Sequence, residues 1–249
     1  MYRLRTGLFS FALLTPFSAV TAPIDSKAFF VECNQVLNKN AAFFHRGAQY
    51  NIRRAAVLES PGRQTIERLF ALANERWNDP DRRYVAYILG TAYRESMSTM
   101  QPLREGRCSS TQCVVDAVYK LMERKPEKYK ENYALPNAEG HSYYGRGLVQ
   151  LTGENNYKKL GEKLKINLIS EPDKALDLDT SLRILLVGMD DGLFTDGKHT
   201  LRKYFREGKT DWINARKIVN PGSMDNAPIT GGYAQIFMRC MAPPIRGGG

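Results

Sequence analysis

The chain has 249 residues, 43% of them hydrophobic and 25% charged, which is ordinary for a folded protein and excludes wholesale disorder. Its formal net charge of +10 suits an anionic partner: nucleic acid, a membrane surface or a cell wall. The basic residues are scattered and form no nucleic-acid fingerprint, so nucleic acid is excluded and a wall polymer is kept.

The first 22 residues place Arg3 and Arg5 before an apolar run from Gly7 to Val20 and end in Val20-Thr21-Ala22. This is the pattern of a secretory signal peptide, although Pro23 directly after the cut disfavours cleavage. Its loss removes two arginines and no acid, leaving +8 (10 − 2). Residues 23–249 are expected to form one domain, secreted or periplasmic, monomeric, and with no stable membrane insertion after signal removal. Export favours disulfides. The four cysteines allow three pairings. The favoured one joins Cys108 to Cys113 across a short loop and Cys33 to Cys240 near the two ends. A cysteine nucleophile would need a paired histidine, and His45, His141 and His199 are isolated. No metal-ligand spacing occurs, so neither a metal nor any other cofactor is expected.

Asp25 and Ser26 can cap a helix running to Leu37. Residues 38–62 read as irregular. A second helix spans Gln64 to Trp77. Asp79 and Pro80 then suit the start of the central helix. Val85, Ile88, Leu89 and Ala92 recur at helical spacing. Glu95 follows Ile88 by seven residues, on the same buried face. The helix is expected to end near Met97 to Met100, because Pro102 disfavours helix before it. Ten residues after Glu95, in an extended segment, stands Glu105. One carboxylate at a helix end and another on the following strand or loop is the arrangement of a glycosidase. The competing reading is an ion-paired, structural Glu95.

A loop over 106–112 and a helix over Val114–Met122 follow, then a charged run from Glu123 to Glu131 and a turn cluster from Leu135 to Gly140. The next stretch, HSYYGRGLVQLTGENNY from His141 to Tyr157, brackets Arg146 with glycines and crowds Tyr143, Tyr144, Gln150, Asn155, Asn156 and Tyr157 together. Neutral polar and aromatic groups suit a sugar, which has hydroxyl edges and an apolar ring face. A packed loop with core tyrosines fits the composition equally. Further helices are expected over 155–164, 180–192, 201–205, 212–219 and 232–241, with strands only near 103–107 and 147–152.

With these stretches in hand, the chain resembles the family 19 glycoside hydrolases, the chitinase class I-like group, and within it the endolysin branch that cuts peptidoglycan. The resemblance is carried by AYILGTAYRESMSTMQPLRE, YALPNAEGHSYYGRGLVQLTGENNY, PDKALDLDTSLRILLVGMDDGLFT and DWINARKIVNP, in that order. It implies a mainly α, lysozyme-like fold with two lobes and a small β-hairpin at the cleft. It implies Glu95 as general acid, Glu105 as the base that activates water, and Thr152 as a hydroxyl that helps hold that water. Gln150, Asn155 and Asn156 would contact sugar, and Asn220 would line the cleft and face the water; Tyr144 is added as a sugar contact on its aromatic character alone. Where the family has histidine and threonine around the acid, this chain has Arg94 and Ser96; Arg94 should point away from Glu95, since helix neighbours lie about 100° apart. Glu127, Glu131 and Glu139 are the other acids near enough in sequence to serve as base. The polymer implied is peptidoglycan, with chitin or non-catalytic glycan binding as alternatives. An immunity or inhibitor protein would be the further partner if the chain is a toxin.

Overall fold

A computed structural model describes residues 23–241. The signal peptide expected over 1–22 and the C-terminal PPIRGGG lie outside the described residues.

The chain opens with α1 (Ser26–Asn38), capped by the Asp25 carboxylate, which accepts from the amides of Lys27 and Ala28. A hairpin of β1 (Ala42–His45) and β2 (Ala48–Asn51) follows, then α2 (Arg54–Leu58) and α3 (Gly62–Arg76). The hairpin corrects the irregular reading of 38–62. Its register pairs Phe43 with Tyr50, and those rings stack 5.4 Å apart.

The central helix, α4 (Arg82–Glu95), is capped by Asp81 rather than Asp79, the Asp81 carboxylate accepting from the Arg83 amide. Val85, Ile88, Leu89 and Ala92 are all fully buried, as their spacing predicts. Burial of each large apolar side chain contributes about 1.5–3 kcal/mol. The helix ends at Glu95, earlier than expected. Met97 and Ser98 take left-handed backbone conformations, and the Ser98 amide donates back to the Tyr93 carbonyl at 2.8 Å. The stop is thus a backbone reversal and not the reach of Pro102.

After the turn come β3 (Leu103–Arg104), a single 3₁₀ turn over Glu105–Arg107, α5 (Thr111–Arg124), β4 (Arg146–Gly147), α6 (Glu154–Leu164) and α7 (Leu178–Asp190). β3 pairs antiparallel with β4 beside the carboxylates, a two-stranded sheet whose strands are joined through α5 and not by a hairpin turn. The strand expected over 147–152 is mostly turn, with only Leu151 bridging back to Arg146. The chain closes with α8 (Leu201–Tyr204), the two-residue strands β5 (Phe205–Arg206) and β6 (Lys209–Thr210), a 3₁₀ turn over Asn214–Ile218 where a helix was expected, and α9 (Ala227–Cys240). α9 starts five residues before the expected Gly232, with a proline in its first turn.

Two apolar clusters form. The larger gathers α1, α3, α4, α7 and α9. α4 and α9 touch at Gly90, where an added Cβ would sit 2.7 Å from the Ala234 nitrogen; only glycine lets the backbones approach so closely. The smaller cluster holds Val114, Val115, Val118, Ala134 and Tyr144. The fold is mainly helical and lysozyme-like, its two lobes built on these clusters with the β3–β4 pair between. Both favoured disulfides are formed: Cys33–Cys240 ties α1 to α9, and Cys108–Cys113 closes the loop before α5. No helix among the described residues is long and apolar enough to cross a membrane.

Candidate active site

Glu95 is the last residue of α4, so its backbone is fixed by the core while its side chain reaches the helix end. The carboxylate accepts a hydrogen bond from Arg216 Nη1, with Oε1 at 2.5 Å. The Arg216 side chain is 4% exposed and that of Glu95 18%. Glu95 therefore has the ion-pair partner of the competing reading, a buried guanidinium. The carboxylate is not sealed. It lines a cavity of about 240 Å³ together with Val149, Gln150, Leu151, Thr152, Asn156, Phe194, Arg216, Val219 and Asn220. Arg94 points elsewhere, as helix geometry requires, and donates to Asn226 Oδ1 at 3.1 Å.

Glu105 is held differently. Its Oε2 accepts from the Gly145 amide at 3.0 Å, its Oε1 accepts from the Tyr133 hydroxyl, and its own amide donates to the Gly145 carbonyl at 2.8 Å. Burial, followed by the hydrogen bond to this carboxylate, pushes the Tyr133 hydroxyl well above the usual tyrosine range, so Tyr133 stays a neutral donor. Gly145 is the meeting point of the site. A Cβ there would lie 3.0 Å from Gln150 Oε1 and 3.3 Å from both Glu105 Oε2 and Thr152 Oγ1. Thr152 thus belongs to both halves: it lines the Glu95 cavity and stands beside the Glu105 carboxylate.

The framework behind Glu105 is Arg146, among the largest fully buried side chains. Its guanidinium lies 3.6 Å over the Tyr144 ring. Its Nε donates to Asp173 at 2.7 Å, and its Nη1 donates to the Ser142 carbonyl and the Tyr157 hydroxyl. Arg104 donates to the other oxygen of Asp173. Burial alone would push the Asp173 carboxyl up; the two guanidinium hydrogen bonds prevail and hold it below the usual carboxylate range. Among the described residues there is no cluster of three or more side chains able to hold a metal ion.

The sequence profile of chitinase class I matches residues 70–184. Over that span the chain is similar to the family 19 glycoside hydrolases. The chain is 34% identical over 100 residues to an endochitinase of Carica papaya, covering 38% of this chain and 37% of that protein. It is 31% identical over 107 residues to chitinase 2 of Oryza sativa subsp. japonica, covering 42% and 30%. It is also 28% identical over 102 residues to endochitinase A2 of Pisum sativum, covering 41% and 30%. The matches span about a third of those relatives' own length.

The family 19 span contains Glu95, Glu105, Gln150, Thr152, Asn155 and Asn156, whereas Arg216 and Asn220 reach the cavity from beyond it. Gln150 lines the cavity, but its amide nitrogen donates to the carbonyls of Leu103 and Gly147 and so bridges the paired strands β3 and β4. Asn156 lines the cavity and donates to the Thr152 carbonyl at 2.9 Å. Asn155 is exposed and is not among the cavity residues. Tyr144 must be corrected from a sugar contact to a packing residue. It is fully buried, its ring lies under Arg146 and its hydroxyl meets that of Thr111 at 3.0 Å. Glu127, Glu131 and Glu139 are exposed and none lines the Glu95 cavity.

Three site residues escaped the sequence reading. Arg216 stands beside Lys217 in INARKIV, and nothing local tells which of the two cations is buried. Gly145 stood in the quoted motif, but its role depends on what faces it. Tyr133 has no local signal, because only the tertiary fold brings it to Glu105.

Proposed function

We propose that the protein hydrolyses the β-1,4-linked amino-sugar backbone of peptidoglycan by an inverting mechanism in which Glu95 and Glu105 act as acid and base. The observation that carries this reading is the convergence at Thr152: one wall of its surroundings is the Glu95 cavity, the other the Glu105 carboxylate. Arg216 occupies Oε1 of Glu95, which leaves Oε2 to deliver a proton to the leaving oxygen. Glu105 is oriented by two fixed donors, yet a carboxylate can accept about four hydrogen bonds, so it retains capacity to take a proton from water. The Thr152 hydroxyl stands beside it to hold that water. An inverting pair needs its carboxyls roughly 6.5–9.5 Å apart, with the water between them. Asn156 and Asn220 supply polar contacts on the cavity wall for sugar hydroxyl and acetamido groups.

The net charge of +10 supports an anionic wall as substrate. Chitin is the second reading, favoured by the matched relatives being endochitinases and a chitinase. In either case residues 23–249 act as one secreted or periplasmic domain. Reducing ends released from purified peptidoglycan and from chitin by the parent and by Glu95→Gln test the proposal. The parent should release them, and the variant should lose about 10²–10⁴-fold of that rate. A variant within a factor of about two of the parent rules out Glu95 as the acid.

A further inference from the structure

We infer that Arg53 and Arg107 form an anion-binding site beside the catalytic carboxylates, and that its ligand is a carboxylate carried as a side group on the glycan. This rests on the hydrolase reading and names the feature of the polymer that the site selects. Arg107 follows Glu105 by two residues, and its Nη2 donates at 3.0 Å to the carbonyl of Met97, which follows Glu95 by two residues. Arg53 donates through Nη2 at 2.5 Å to the next carbonyl, that of Ser98. Adjacent residues are about 3.8 Å apart between Cα atoms, so the two guanidinia are anchored to neighbouring carbonyls of one short loop.

That loop, Ser96 to Gln101, joins the two carboxylate segments and is fixed in an uncommon shape. Met97, Ser98 and Met100 all have positive φ, the Met100 amide donates to Ser96 Oγ, and Gln101 donates to Thr65 Oγ1. The guanidinia are therefore placed before any ligand arrives. Each has five N–H donors and gives one to the loop. Neither forms an ion pair with a carboxylate among the described residues, and both side chains are exposed. The buried arginines Arg146 and Arg216, by contrast, are each matched to an acid. Two neighbouring forks with donors to spare suit a planar carboxylate, which accepts bidentate hydrogen bonds. Peptidoglycan presents such groups on its stem peptides; chitin carries none.

The test compares kcat/KM on peptidoglycan stripped of phosphate-bearing polymers with kcat/KM on the same material after chemical reduction of its carboxyl groups. The parent should prefer the carboxylated form by at least about ten-fold at low salt, and the preference should shrink towards one at roughly 0.5 M salt. Arg53→Gln with Arg107→Gln keeps a donor for each carbonyl but removes both charges. It should bring the ratio to within about two-fold of one. Because the readout is a ratio, a general loss of folded enzyme does not move it. A parent ratio near one, or a double variant that keeps the parent's ratio, overturns the site. So does a preference for unstripped walls that is insensitive to carboxyl reduction, which would assign the ligand as phosphate. If the parent releases no reducing ends from any polymer, the hydrolase reading fails. The same ratio read as cosedimentation with the insoluble polymer then decides the anion site separately.

Discussion

The two halves of the site hold the same kind of side chain in opposite ways. Glu95 ends a helix whose apolar residues are embedded in the large core, and its carboxylate meets one buried cation. Glu105 lies in a short turn against the small core, and its carboxylate meets only neutral donors, the Gly145 amide and the Tyr133 hydroxyl. A helix end backed by a core gives a fixed origin. A turn gives none, so Glu105 must be positioned by its hydrogen bonds and by the Arg146 framework beneath them. The difference teaches that sequence distance from a strong element sets how much tertiary support a functional group needs.

Substitutions at three positions test that contrast. Removing the cation on the Glu95 side should have the largest effect. Arg216→Ala leaves the carboxylate without its fixed partner, and kcat should fall about 100-fold, since an angstrom of misplacement costs that much. Arg216→Lys should recover part of the loss by restoring charge without the rigid fork. Steady-state kinetics on a soluble oligosaccharide would show it; an unaltered kcat for the alanine variant would mean that Glu95 needs no positioning cation.

On the Glu105 side the sensitive point is Gly145. Its φ lies outside the left-handed region, so alanine is permitted by the backbone, and the added methyl meets the Glu105, Gln150 and Thr152 side chains instead. Gly145→Ala should lower kcat about ten-fold and change stability by less than about 1 kcal/mol. Equal activity with a large drop in melting temperature would show that the position serves packing alone.

The smallest effect is one of stability and pH. The Asp173 carboxyl is held below its ordinary value of 3.8 by Arg146 and Arg104. A depressed folded-state value contributes stability that is present above the unfolded value and is lost as pH falls through the folded one. Urea midpoints should therefore decline below about pH 4, and Asp173→Asn should flatten that decline while lowering stability at neutral pH. A decline of equal steepness in the variant would remove Asp173 from the account.

Legibility in the sequence followed the same division. The α4 apolar spacing pointed to one buried stripe ending in Glu95; the structure buries that stripe but also every residue from Val85 to Tyr93, so the helix is enclosed on all faces. Its start was misplaced by two residues because Asp79 and Asp81 are equally good caps on paper, and packing chooses between them. The β1–β2 hairpin was missed because its four-residue strands carry little period-two signal; Phe44 is largely exposed while Phe43 packs on Tyr50 and Tyr233. Tyr144 and Tyr157 are indistinguishable from sugar platforms by composition, and only the buried Arg146 packed against them reveals a core cluster. Arg216 is 121 residues from Glu95, so no local pattern could pair them.

The central claim is that Glu95 and Glu105 work from opposite faces of one sugar. Proton NMR of the first product formed from a β-linked amino-sugar oligomer, recorded before mutarotation, tests it most directly. The α-anomer is the expected initial product. An initial β-anomer would mean retention, and would replace the water held by Glu105 and Thr152 with a different nucleophile.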